Sequence, residues 1–188
     1  MKRIVPVMVL AALVLTGCPK KPDGVPRPRA FARIQLYDTA TSVSPYQLPV
    51  YLRVNRSAEC KLVKSSPEGY WIDIAYPAYH ATIHLTISFA DDSLSREKIA
   101  ANRSERMALN LGDNSATRVS LVSPGNFRST ILTASGSSLT PVQLLSVGQK
   151  WIVSATATLD NLPESADSIR PIVEALRNDL LTAAKNMR

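Results

Sequence analysis

Polar and apolar residues alternate most clearly over residues 80–89 of the chain. Every second side chain there is apolar, and each residue between two apolar ones is polar. The apolar members are Ala81, Ile83, Leu85, Ile87 and Phe89, and the polar members are His80, Thr82, His84, Thr86 and Ser88. A period of two over this length predicts a strand with one buried face. Residues 70–77 are also strand-like, and the short link at 77–79 predicts that the two strands form a hairpin.

Two further hairpins are predicted in the second half of the chain. Their strands are 116–122 with 126–134, and 141–147 with 150–159. The linking segments, 123–125 and 148–149, contain the glycine or proline that favours a turn. Nearer the N-terminus, residues 31–37 and 47–55 are the remaining candidate strands.

Helical patterns occur in two places. Asp92 and Ser93 can cap a helix over about 94–110, which lacks proline and glycine but has few apolar positions. A second helix is predicted from Asp167, because apolar residues recur there at intervals of three and four. These residues are Ile169, Ile172, Val173, Leu176, Leu180 and Ala184. The spacing predicts an amphipathic C-terminal helix that lies across the sheet.

The order of the elements is several strands, a helix, four strands and a helix. This order predicts the α+β class, with a largely antiparallel sheet of about six to eight strands, a middle helix and a C-terminal amphipathic helix. It is similar to the order in the PsbP/Mog1-type architecture, a likeness that says little about function.

The N-terminus has the pattern of a targeting signal. Lys2 and Arg3 precede an apolar run over residues 4–15 that is too short to span a membrane. The run ends in Leu-Thr-Gly before Cys18, which resembles a lipobox. We therefore predict that residues 1–17 are removed and that Cys18 carries the lipid, diacylglycerol with an acyl chain such as palmitate. The alternative is an ordinary secretory signal with a cysteine at this point by chance.

The segment after Cys18 is basic and rich in proline. Residues 18–30 are predicted to be a tether and residues 31–188 a single α+β domain. The chain has 22 Lys and Arg against 15 Asp and Glu, and removal of Lys2 and Arg3 leaves 20 against 15. For an exported, tethered protein this excess favours anionic lipid, lipopolysaccharide or an acidic partner over nucleic acid. A solvated basic linker is an equally good interpretation of the charges near the anchor.

No recognised catalytic pattern occurs in the sequence, so we predict that the protein is not an enzyme and has no cofactor. His80 and His84 are the two histidines, and four residues along a strand separate them by about 13 Å, too far to share one metal ion. Cys60 has no partner in the chain once Cys18 is lipidated. It is therefore a free thiol, an intermolecular one or a passive, partly buried residue.

Aromatic residues supply the best candidates for a partner contact. The turn at 76–79 is expected to be exposed, and the candidate contact residues are Trp71, Tyr76, Tyr79 and His84. Trp71 also fits a packing role in the sheet. The alternative function is an envelope lipoprotein that binds glycan or lipid or acts as a weak hydrolase. It requires the three aromatic side chains and the two histidines to line one concave pocket.

Four stretches of the chain resemble the GldD family of gliding-motility lipoproteins from Bacteroidota. They are residues 26–34, residues 71–77 running into 81–86, residues 151–159 and residues 167–173. The resemblance implies a protein needed for surface gliding and for the associated type IX secretion machinery, with no known enzymatic reaction. Its partners would be other gliding or secretion proteins of the cell envelope, together with the membrane that holds the anchor.

The residues after Cys18 bear on which side of the membrane the protein faces. Surface-exposed lipoproteins of the Bacteroidota tend to carry acidic residues there, whereas Pro19, Lys20 and Lys21 follow here. We therefore predict a lipid-anchored protein of the cell envelope that faces the periplasm, on either the inner or the outer membrane.

Overall fold

The computed structural model describes residues 35–163 and 165–188. Nine strands and two α-helices occur in this part of the chain, which is a single α+β domain as predicted. In chain order they are β1 Thr41–Val43, β2 Arg53–Asn55, β3 Glu59–Ser66, β4 Gly69–Tyr76, β5 Ala81–Phe89, α1 Ser93–Leu111, β6 Ala116–Val122, β7 Arg128–Ala134, β8 Val142–Val147, β9 Trp151–Leu159 and α2 Ala166–Asn186. No helix of the described residues is long and apolar enough to cross a membrane.

Seven of the strands form one antiparallel sheet in the order β3-β4-β5-β9-β8-β7-β6. The three predicted hairpins are confirmed, since β4 pairs with β5, β6 with β7 and β8 with β9. β5 also pairs with β9 along its whole length, from Ala81 opposite Leu159 to Phe89 opposite Trp151. This pairing joins the two halves of the sheet, and β1 and β2 form a separate small ribbon.

The main core lies between the sheet and α2. Ile83, Leu85 and Ile87 of β5 are buried on this side, as the alternation of the sequence predicts. Leu176 and Leu180 of α2 are also buried in this cluster. Full burial of one such side chain stabilises the fold by roughly 1.5–3 kcal/mol. The helix begins after Ser165, whose hydroxyl oxygen accepts a hydrogen bond from the Ser168 N–H.

The helix α1 packs on the opposite face of the sheet, against β8 and β9. Asp92 caps its first turn, where the carboxylate accepts a 2.9 Å hydrogen bond from Ser95 N–H. Met107 is the buried residue of this helix, in keeping with the sparse apolar positions in its sequence. Polar contacts therefore hold much of α1 in place.

The N-terminal third of the described chain departs most from the predicted elements. Residues 35–37 form no strand, so the strand predicted over 31–37 is wrong in its described part, and residues 31–34 lie outside the described residues. Of the strand predicted over 47–55, only Arg53–Asn55 pairs. Val50 and Leu52 are nevertheless buried in the core, and the Tyr51 N–H donates a hydrogen bond to the Arg188 carbonyl oxygen instead of to a strand.

One long strand was not predicted from the sequence. β3 is an edge strand with exposed Glu59, Lys61 and Lys64, and charged residues on an edge mask the alternation while blocking further pairing. His80, expected as the first residue of β5, instead lies just before the strand with a φ of 49°.

Candidate functional site

The two faces of the sheet divide the four predicted contact residues into two pairs. In β4, Ile72, Ile74 and Tyr76 are buried on the α2 side, so Trp71 lies on the α1 side. His84 of β5 lies opposite Asp73 of β4 and is also on the α1 side. Tyr76 and Tyr79 belong to the α2 side. The shared concave pocket that the alternative function requires is therefore absent from the described part of the chain.

Tyr76 and Tyr79 are core residues, with 1% and 4% of their surface exposed. The expectation of an exposed aromatic turn is wrong, because Tyr37 from the preceding segment covers both rings. The ring centroid of Tyr37 lies 4.8 Å from that of Tyr79 and 5.9 Å from that of Tyr76. Tyr79 Oη accepts a 2.6 Å hydrogen bond from Tyr37 N–H, and Tyr37 Oη accepts one from Ala78 N–H.

A partly buried carboxylate lies beneath the tyrosines. Asp179 of α2 accepts hydrogen bonds from Tyr76 Oη at 2.9 Å and from Asn55 Nδ2 at 3.2 Å. Burial raises the pKa of Asp179 above its ordinary value, although these two hydrogen bonds oppose the shift. Burial, followed by the charge of Asp179, raises the pKa of Tyr76. This network joins α2 to β2 and β4, and its hydrogen bonds are internal to the domain.

On the α1 side, His84 is held between an acid and a hydroxyl group. Its Nδ1 lies 2.7 Å from Asp73 Oδ1, and its Nε2 lies 3.1 Å from Thr158 Oγ1. The Thr158 hydroxyl donates its proton to the carbonyl oxygen of Thr82, 3.1 Å away. The side chain of His84 remains about half exposed.

Trp71 lies on the same face as His84 and Asp73, on the β3–β4 side of the sheet. It is half-buried, and Lys64 Nζ of the edge strand lies 4.8 Å from its ring centroid. This distance is within the range of a cation–π interaction. Trp71 and His84 therefore lie on one accessible sheet face that α1 covers mainly over β8 and β9.

An open groove of about 320 Å³ runs between this face and α1. The sheet contributes His84 and the hydroxyl-bearing residues Thr86, Ser154 and Thr156, the helix contributes Arg103 and Arg106, and apolar residues such as Met107 and Leu144 complete the lining. Neither arginine forms an ion pair with a carboxylate among the described residues. Burial, followed by the charge of Arg106, lowers the pKa of Arg103, yet a guanidinium stays protonated in proteins. The groove therefore has positive charge on one wall and hydroxyl groups on the other.

Gln143 fixes the distance between the helix and the sheet beside the groove. It is fully buried, and its Nε2 donates a 3.1 Å hydrogen bond to the Met107 carbonyl oxygen. Its Oε1 accepts a 3.0 Å hydrogen bond from Asn110 Nδ2. The carbonyl oxygen of Asn110 accepts a further bond from the Thr140 hydroxyl. The side chains of Gln143 in β8 and of Thr140 just before it therefore hold the C-terminal half of α1.

The other predicted residues have separate positions. His80 Nδ1 lies 3.7 Å from Asp160 Oδ2 at the exposed ends of β5 and β9, and neither residue lines the groove. Trp151 lies on the α2 side, where its ring packs 5.1 Å from that of Phe89. Cys60 is half-buried in β3, and burial raises its pKa. Cys18 lies outside the described residues. Among the described residues, no group of three potential metal ligands occurs.

Two features of the sites described above were not predicted from the sequence. Arg103 and Arg106 were not singled out, although their spacing of three places them on one side of a helix. Asp179 was also missed, because nothing near it in the sequence indicates that a tyrosine of β4 lies above it.

Comparison with protein families gives one match across the domain. The model of the family described as gliding motility lipoprotein GldD matches residues 21–188 of the chain. The match begins in the proline-rich segment and continues through α2. No curated protein matches the chain.

Proposed function

Because the chain belongs to the GldD family of gliding motility lipoproteins, we propose that it is a non-catalytic accessory component of a motility or type IX secretion assembly in the cell envelope. The family match over residues 21–188 is the observation that carries this proposal. In it, Cys18 holds the lipid, residues 18–30 form the tether and the domain faces the periplasm. Trp71 and His84 contact the partner protein.

The accessible face around Trp71 supports a role in protein contacts. A half-buried tryptophan with a neighbouring lysine offers a partner both a large apolar surface and a charge. Tyr76 and Tyr79, buried in the core, take no part in this proposed surface. We assign them instead to packing of the N-terminal segment.

The runner-up function, a weak hydrolase, draws on the Asp73, His84 and Thr158 arrangement. The three groups have the order of a nucleophile, a base and an orienting acid. However, the Thr158 hydroxyl also lies 3.1 Å from the Thr82 carbonyl oxygen, which competes with His84 for its proton. The central strands β5 and β9 pair on both sides, so their N–H groups serve the sheet and not an oxyanion. We favour a structural role for this trio.

The first experiment removes the anchor or the proposed contact in the native organism. Cys18→Ala and Trp71→Ala are each expected to reduce secretion of type IX cargo and, in a gliding host, colony spreading. Phe89→Ala is the matched control, since Phe89 is a partly exposed aromatic residue on the opposite face. Immunoblots check that the variants accumulate equally. Normal secretion and spreading with both Cys18→Ala and Trp71→Ala would contradict the proposal.

A second experiment separates the two functions. Thr158→Val removes the hydroxyl group and keeps the shape of the side chain, so the accessory function predicts normal secretion and spreading. A hydrolase with Thr158 as its nucleophile predicts the same defect as deletion of the gene.

A further inference from the structure

Two arginines of α1 line the groove beside the sheet without an acidic partner. Arg103 and Arg106 lie three positions apart on the helix and contact the groove from one side. The acid on the sheet side, Asp73, is already bonded to His84, so it does not neutralise the guanidinium groups. Arg103 is moreover half-buried. Two cations held close together in a partly desolvated groove favour a bound anion.

The opposite wall supplies hydrogen-bond donors that do not carry charge. Thr86 of β5 and Ser154 and Thr156 of β9 line the groove through neighbouring positions of two paired strands. Donor-bearing residues therefore line the groove from the helix on one side and from the sheet on the other. A tetrahedral phosphate accepts hydrogen bonds from several directions, and arginine is over-represented where phosphate is bound.

We propose that this groove binds a phosphate group, held by Arg103 and Arg106 and by the hydroxyl groups of Thr86, Ser154 and Thr156. The phosphate comes from an anionic lipid headgroup of the anchoring membrane or from a free phosphate. The groove's volume of about 320 Å³ accommodates either. Membrane anchorage, which the lipoprotein family implies, places headgroups near the domain at high local concentration. The inference goes beyond the motility role and does not require it.

The first test measures protection of individual arginines in the mature lipoprotein. The protein is kept in phosphate-free dodecylmaltoside micelles and treated with phenylglyoxal, and modification of each arginine is followed by peptide mass spectrometry. Inorganic phosphate is added in one arm, phosphatidylglycerol in a second and sodium acetate at equal ionic strength in a third. Arg56 and Arg118, which are exposed and do not line the groove, are the internal controls.

We expect inorganic phosphate or phosphatidylglycerol to slow the modification of Arg103 and Arg106 by phenylglyoxal more than that of Arg56 and Arg118. Protection by phosphatidylglycerol alone assigns the groove to a lipid headgroup, and protection by inorganic phosphate assigns it to a free phosphate as well. Equal modification of all four arginines in both phosphate arms would overturn the proposal. Equal or stronger protection by acetate would also overturn it, because the groove would then belong to a carboxylate-bearing partner.

The second test compares binding by charge-matched double variants. Line broadening of the ³¹P resonance reports binding of phosphate or phosphatidylglycerol to Arg103→Gln/Arg106→Gln and to Arg56→Gln/Arg118→Gln. We expect the groove variant to bind at least about tenfold more weakly, because charge-assisted hydrogen bonds are lost. The control variant should bind as the unmodified protein does. Circular dichroism shows whether each variant is folded, and equal binding by both folded variants would contradict the proposal.

Discussion

The hydroxyl group of Tyr76 donates a hydrogen bond of 2.9 Å to Asp179 Oδ2, although the two residues are 103 positions apart in the chain. Tyr76 ends β4 and Asp179 lies in the second half of α2. Asn55 of β2 donates to the same carboxylate. The helix, the main sheet and the small ribbon are therefore linked by one carboxylate.

Replacement of Asp179 by Asn should change how stability depends on pH. Burial raises the pKa of Asp179 above its ordinary value of 3.8, so the native protein retains a proton that the unfolded chain releases. The stabilisation from this proton is fully present below pH 3.8 and is lost as the pH rises through the folded pKa. We therefore expect Asp179→Asn to gain stability relative to the unmodified protein as the pH rises from about 3.8 to 7.

Urea denaturation over this pH range measures the effect as a difference in the free energy of unfolding. Asp113→Asn is the control, since Asp113 is exposed and follows the end of α1. A constant difference for Asp179→Asn across the range would show that the carboxylate does not titrate differently in the folded state.

Gln143→Leu should loosen α1 on the sheet. The change removes the partners of the Met107 carbonyl oxygen and of the Asn110 amide. A buried polar group left without a partner destabilises a protein by about 1–3 kcal/mol. We expect a loss of this size in the free energy of unfolding, together with faster hydrogen exchange in the C-terminal half of α1. Asn110→Ala, which removes one of the two bonds, should have the smaller effect, and the reverse order would contradict this account.

Gly125→Ala should disturb the C-terminus of the chain. A Cβ atom at this position would collide with Arg188 Cα and would lie 2.8 Å from the Met187 carbonyl oxygen. Met187 is fully buried, so the chain cannot move away freely. We expect a loss of about 1–3 kcal/mol in the free energy of unfolding, measured by urea denaturation. Ser120→Ala on the exposed side of β6 is the control and should change stability by less than about 0.5 kcal/mol.

Cys60 should react slowly with thiol reagents in the folded protein. Burial raises its pKa above 9.0, so at pH 8 a smaller fraction is thiolate than for a free cysteine. We expect slow reaction of the mature protein with dithionitrobenzoate and a faster reaction in urea, where the thiol is exposed. One thiol per chain should titrate in urea. A second reactive thiol would mean that Cys18 does not carry the lipid.

The sequence determined the elements whose pattern is local. Alternation over residues 80–89 and the turn residues at 123–125 fixed the hairpins, because side chains on a strand point in turn to its two faces. Intervals of three and four fixed α2 in the same way. The edge strand β3 was missed because its charged residues oppose the pattern on which such predictions depend.

Only the tertiary structure decided which of these residues meet. Tyr76 ends a strand and Tyr79 follows in a turn-like sequence, which predicts exposure, yet the segment at Tyr37 covers both. Arg103 lies across the groove from hydroxyl-bearing residues of two strands, which only the packing of α1 on the sheet brings near it. Local periodicity encodes which side of an element is buried, whereas the pairing of β5 with β9 and the packing of both helices set the distances between elements.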